Sequence, residues 1–161
     1  MRPVLEYGSI ITSPIIKDHV IMMESVQKSF IFRVFQKFKR PYTSYFEALI
    51  ECNLKSLEYR RLITDLVFTY KLIVSNEICM EDPIFELISH TGTLRRHKYY
   101  LRSLLKNSKK LSCQTLSNRI IRCWNSLPAG VFPAKPCTAA FKYRLSLCDL
   151  SHFLVLNPTN Y

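Results

Sequence analysis

The sequence predicts a mainly α-helical chain, and three observations predict it. Only 3 of 161 residues are glycine, so freely bending backbone is scarce. Long side chains with good helix propensity dominate the remainder. From Lys17 to Lys39 there is neither Pro nor Gly, and Val20, Met23, Phe30, Ile31, Val34 and Phe38 recur at helical spacing. Hydrophobic residues make up 48% and charged residues 22%, a globular rather than a disordered composition. A chain of this length forms one domain or two small ones and can bury a real core.

The elements follow in order. Residues 3–11 are expected to form a short helix with Pro3 in the first turn, where its missing N–H costs little. Ser13-Pro14 breaks it. The long amphipathic helix over Lys17–Lys39 carries Arg33, Lys37 and Arg40 on one flank, and Arg40-Pro41 ends it. Ser44 and Glu47 stand at capping-box spacing, which predicts a helix over about 45–52. Ser56 is placed to cap a helix over 57–74, with Leu62, Leu66, Tyr70 and Ile73 as its apolar stripe.

Residues 75–93 read as loop, punctuated by Glu81-Asp82-Pro83 and Thr91-Gly92. The basic tract 95–110 fits neither helical nor strand period, so both remain open there. Residues 114–126 read as a helix ended by Leu127-Pro128, with Trp124 beside Ile120 and Ile121 as a core anchor. Thr138 is expected to cap a last helix over about 139–148, turning Phe141 and Leu145 inward. No apolar run reaches the roughly 18 residues of a membrane span, and no apolar leader core stands at the start. The expectation is a nuclear or cytoplasmic protein that is neither secreted nor membrane-spanning.

Charge is divided along the chain. Residues 1–90 hold eleven basic and eleven acidic side chains. Residues 91–161 hold twelve basic residues and one acid, Asp149, so the whole net charge of +11 lies there. Unbalanced charge repels itself, and a block this one-sided implies a polyanionic partner. The densest part reads Arg95-Arg96-His97-Lys98-Tyr99-Tyr100-Leu101-Arg102, then Lys106, Lys109 and Lys110. Guanidinium and ammonium groups neutralise phosphates, and an interleaved tyrosine ring offers a face to an unpaired base. Arg95, Arg96, Lys98, Arg102, Lys106, Lys109 and Lys110 are therefore the candidate phosphate contacts, and Tyr99 the candidate stacking residue. The plainer reading is a solvated basic loop whose tyrosines face the core.

Six cysteines occur: Cys52, Cys79, Cys113, Cys123, Cys137 and Cys148. The closest Cys or His pairs are His90 with His97, Cys113 with Cys123 and Cys148 with His152, and there is no CxxC or zinc knuckle, so free thiols and no metal are expected. No nucleophile elbow, HExxH helix, P-loop or dinucleotide fingerprint is present. The adjacent acids Glu81-Asp82 precede Pro83 in the expected loop and make a poor two-metal site. No catalytic residue, cofactor or small-molecule substrate is assigned.

Several phrases resemble one family, the jockey-like non-LTR retrotransposon reverse transcriptases, in the part that follows the catalytic palm. Arg2-Pro3-Val4-Leu5-Glu6-Tyr7, Ser13-Pro14 and Glu24-Ser25-Val26-Gln27-Lys28-Ser29-Phe30 are similar to the family's thumb stretch. Leu57-Glu58-Tyr59-Arg60-Arg61, Asp65-Leu66 and Tyr70-Lys71-Leu72 are similar to its "LExRR…DL…YK" helix. Arg96-His97-Lys98-Tyr99 resembles "RGHxY". Ser117-Asn118-Arg119-Ile120-Ile121 with Trp124-Asn125-Ser126-Leu127-Pro128 resembles "FxNRVVxxWNxLP", and Ala140-Phe141-Lys142-Tyr143-Arg144-Leu145 resembles "SFKxRLD". The phrases stand in family order over residues 2–145. Departures are Thr12 in place of Trp, the missing Gly between Arg96 and His97, and Leu116 in place of Phe.

The resemblance implies a thumb-like helical bundle over 1–75, a linker over 76–94 and a basic nucleic-acid-binding region over 95–161 that is partly irregular. It implies an RNA-directed DNA polymerase as parent. The family's paired-Asp "YADD" turn has no counterpart here, so this transposable-element fragment is expected to be inactive as a polymerase. Its implied role is to hold template RNA, primer or RNA–DNA hybrid through the backbone, with weak sequence preference, beside the rest of a reverse transcriptase. The alternatives are an inert transposon relic and a basic module for anionic membrane surfaces.

Overall fold

Helix boundaries fall close to where the sequence places its caps. A computed structural model describes residues 5–14, 16–81, 83–88, 97–103 and 116–156, and the chain is mainly α. Helix α1 spans Lys17–Lys37, α2 Tyr45–Glu51, α3 Leu57–Ile73, α4 Leu116–Ser126 and α5 Thr138–Ser146. Two three-residue strands, β1 (Phe85–Leu87) and β2 (Leu101–Ser103), pair antiparallel, with Glu86 opposite Arg102. Short 3-10 turns at Ala129–Val131 and Ser151–Phe153 complete the described elements.

The Ser caps are as expected. Ser44 Oγ accepts from the Glu47 amide at 3.3 Å, and Ser56 Oγ accepts from the Tyr59 amide at 3.2 Å. The C-termini use a device the sequence does not advertise. Lys39, Asn53 and Asn76 each have φ near 50°, just past α1, α2 and α3. After α1, the Lys39 amide donates to the Gln36 carbonyl and the Arg40 amide to the Phe35 carbonyl. The Asn53 and Leu54 amides repeat that pattern on Ile50 and Leu49. This is the left-handed cap that glycine usually fills. With so few glycines in the chain, Asn and Lys take the position.

Several expectations need correction. Among the described residues near the start, only Leu5 and Glu6 are helical, and turns occupy 7–11 in place of a helix over 3–11. The loop expected over 75–93 contains β1, and the tract with two open readings supplies β2. Strands of three residues are too short to show a period. Thr138 does not cap α5. Its hydroxyl donates to Glu77 at 2.6 Å, and the cap position belongs to Cys137. Phe30 on α1 and Phe38 just past its end are exposed, and the buried positions of α1 are Val20, Glu24, Ile31 and Phe35.

The described residues form two cores. A small one joins Ile31 and Phe35 of α1 to Tyr45, Ala48 and Leu49 of α2. The larger takes Leu66, Tyr70 and Val74 from α3, Phe85 and Leu101 from the strands, Ile120 and Trp124 from α4, and Phe141 and Leu145 from α5. Tyr70 and Phe141 stack with ring centroids 4.2 Å apart. The larger core thus draws on both sides of the 76–94 segment.

Glu24 links the two cores. It is 1% exposed, and its carboxylate accepts from the Leu57 amide at 2.9 Å, the Glu58 amide at 3.1 Å and the Tyr45 hydroxyl. A side chain of α1 therefore caps α3, where the helix dipole favours negative charge. Glu24→Ala removes the acceptor from two backbone amides and a buried hydroxyl. The expected loss is about 2–4 kcal/mol in urea unfolding, from one lost cap and one unsatisfied buried donor. A loss below about 1 kcal/mol would show that water replaces the carboxylate freely.

Candidate nucleic-acid interface

The segment carrying Lys98, Tyr99 and Arg102 is short of regular structure, and α4 holds it by side chains. His97 is 4% exposed. Its Nδ1 accepts from the Tyr99 amide at 3.2 Å, which puts the ring proton on Nε2, 3.0 Å from the Trp124 carbonyl. The Trp124 indole N–H donates to the Tyr99 carbonyl at 2.7 Å. Asn125 extends the pattern to Leu101, accepting from its amide and donating to its carbonyl, both at 2.9 Å. One amide side chain thereby imitates a strand neighbour along β2. Trp124 is fully buried and packs edge-on against Phe132 at 5.2 Å, the core anchor expected of it.

Three of the eight predicted contact residues lie within the described part. Lys98 is exposed, and its ammonium sits 4.7 Å from the centroid of the Tyr99 ring. Tyr99 is half-buried with Phe132 at 5.2 Å, so an incoming base would have to displace Lys98 to stack on it. Arg102 is exposed and lies 3.9 Å from Glu86 across the strand pair. Arg95, Arg96, Lys106, Lys109 and Lys110 lie outside the described residues.

Other arginines do what the basic tract alone did not suggest. Arg119 on α4 grips Asp65 on α3 through both carboxylate oxygens, at 2.7 and 2.8 Å. It also donates to the carbonyls of Ser9 and Ile10 at 3.0 and 2.6 Å. Burial pushes the Asp65 carboxyl up, against the pull of Arg119. Arg61 is 6% exposed and donates to the carbonyls of Thr12 and Leu5, and burial lowers its guanidinium. Arg122 is exposed and has no hydrogen-bond partner among the described residues. Sequence reasoning passed over it. The inward set Leu116, Ile120, Cys123 and Trp124 could have marked it as outward-facing.

A groove of about 940 Å³ opens beside this segment, lined by Tyr100 and Arg102, by Arg122 of α4, by Arg61 of α3 and by His152 and Phe153 near the end of the described chain. Glu58 fixes that last stretch by accepting from the amides of Val155 at 2.6 Å and Leu156 at 3.0 Å. Burial raises the Glu58 carboxyl, while these two amides lower it. Among the described residues, no group of three His, Cys, Asp or Glu side chains is placed to hold a metal ion, and no helix is long and apolar enough to cross a membrane. Cys52, Cys79, Cys123, Cys137 and Cys148 are free thiols. No family model, curated protein or solved structure matches the chain.

Two measurements follow from this geometry. Asn125→Ala breaks both bonds to Leu101 at an expected cost of about 1–3 kcal/mol, and the Leu101 amide should exchange with solvent markedly faster. Unchanged protection there would mean β1 alone holds β2. Burial pushes the Cys123 thiol up to about 12. At about pH 8, a chromogenic disulfide reagent should therefore label exposed Cys52, Cys79 and Cys137 in the native protein, and Cys123 only on unfolding. Native labelling of Cys123 would contradict its burial.

Proposed function

We propose that the chain is a nucleic-acid-holding fragment of a jockey-like non-LTR retrotransposon reverse transcriptase, without a polymerase active site of its own. The observation that carries the reading is the charge division: a net +11 confined to residues 91–161, against zero over residues 1–90. Phosphate neutralisation with counterion release is the physical process that such a block favours. The geometry adds support, because Lys98 and Arg102 are exposed on a segment anchored on α4 and Arg122 is exposed on α4 itself. The contacts are to the sugar–phosphate backbone, so sequence preference is weak. The quoted resemblance supplies the parent polymerase, with template RNA, primer or their hybrid as the partner.

The test is fluorescence anisotropy of the full chain with labelled RNA and DNA. If about six phosphates are neutralised, affinity should fall roughly a thousandfold between about 50 and 200 mM salt. Arg102→Ala should weaken binding to all sequences and reduce the salt slope by about one unit. Affinity indifferent to salt would leave the basic block a solvated surface. Deoxynucleotide incorporation on a primed RNA template, with magnesium or manganese, should stay at the no-protein level. Incorporation above it would overturn the assignment of a fragment without a polymerase site.

A further inference from the structure

The groove beside β2 has the chemistry of a site for unpaired nucleic acid. Arg102 and Arg122 both line it and both extend into solvent. Arg61 lines it as well, with its guanidinium turned inward to the carbonyls of Thr12 and Leu5. Tyr100 and Phe153, both half-buried, add aromatic surface to the same lining. Base stacking on such rings tolerates any sequence.

Three acids line the groove too, and each has its oxygens engaged inside the fold. Glu24 accepts from the Leu57 and Glu58 amides, Glu58 from the Val155 and Leu156 amides, and Asp65 from Arg119. Four arginines (Arg61, Arg102, Arg119 and Arg122) outnumber these three acids in the described lining, and Arg102 and Arg122 are the ones that reach solvent. A volume of about 940 Å³ stands at the upper end of the roughly 300–1,000 Å³ usual for ligand clefts. That volume suits a few splayed nucleotides and is too small to enclose a double helix.

We infer that this groove binds a short unpaired stretch of RNA or DNA, with Arg102 and Arg122 on its phosphates and Tyr100 or Phe153 against its bases. The inference rests on the nucleic-acid reading above and adds to it a location and a preference for single strands. A preformed groove with arginines on its rim orders a strand without reading base edges, so oligouridylate and oligothymidylate serve equally as probes.

The experiment compares the full chain with three variants, all at exposed positions, so that folding is preserved and circular dichroism can verify it. Labelled oligouridylate, oligothymidylate and a hairpin duplex of equal length are titrated at several salt concentrations. The single strands should bind about tenfold or more tighter than the hairpin. Arg102→Glu and Arg122→Glu should each weaken single-strand binding by about tenfold or more. Lys142→Glu, an equal charge change outside the groove, should weaken it by only about two- to threefold. An oligonucleotide carrying iodouracil should photo-crosslink at Tyr100 or Phe153. Salt-dependent binding that is equal for hairpin and single strand, or equally sensitive to all three substitutions, overturns the groove site and leaves the general reading standing. Crosslinks found only away from the groove overturn it in the same way. Absence of salt-dependent binding by any probe overturns both.

Discussion

The buried pair between Asp65 and Arg119 is the contact on which the rest of the structure depends. It joins α3 to α4, and through the carbonyls of Ser9 and Ile10 it fastens the N-terminal turns to both. The two side chains are 4% and 9% exposed. A buried ion pair is not stabilising merely by existing, because desolvation offsets much of the attraction. Its force lies in the penalty for breaking it: either charge left alone in the interior costs several kcal/mol. The pair therefore fixes the register of α4 against α3. That register sets where Trp124 and Asn125 stand, and those two residues hold the 97–101 segment.

Glu24, Glu58 and Arg61 extend the same logic. Each is a charged group on a helix that satisfies backbone groups from a distant part of the chain. These residues stand inside the phrases on which the proposed reverse-transcriptase kinship rests. Glu24, Glu58, Arg61, Asp65, His97, Arg119, Trp124 and Asn125 all make internal contacts here. The patterned residues thus hold the scaffold together. Solvent-facing Lys98, Arg102 and Arg122 are left to meet a partner, and of these only Lys98 lies within a quoted phrase.

Much of the helical framework was legible in the sequence, because helical spacing and Ser caps are local signals. Ser44 and Ser56 needed only the next three residues to be recognised. The strands were not legible, since Phe85–Leu87 and Leu101–Ser103 are too short for a period and depend on each other across intervening chain. Buried charge was illegible for a related reason. Nothing near Glu24 announces that its partners lie 33 and 34 residues away. Met23 and Phe30 looked more inward than Glu24 on hydrophobicity alone, and the hydrogen bonds reversed that order. The site was half legible: composition located the basic block, but only packing shows that Arg119 is consumed by Asp65 while Arg122 is left outward.

That division of arginines explains how so lopsided a charge can coexist with a folded chain. Several acids of the first ninety residues are engaged within that half, Glu6 with Arg60, Glu51 with Arg40, Glu77 with Lys71 and Glu24 with backbone amides, while Glu58 accepts from the amides of Val155 and Leu156 in the other. Asp65 crosses over to neutralise a cation of the basic half at close range. Glu86 reaches Arg102, but at 3.9 Å and with both side chains more than half exposed. Exposed pairs of this kind are worth about 0–1 kcal/mol and weaken with salt. A phosphate can therefore replace Glu86 at little cost, whereas no anion could take Arg119 from Asp65 without unfolding the junction. The fold thus separates its cations into those that bind the chain to itself, Arg61 and Arg119 among them, and others held in solvent, where mutual repulsion makes a polyanion the favourable neighbour.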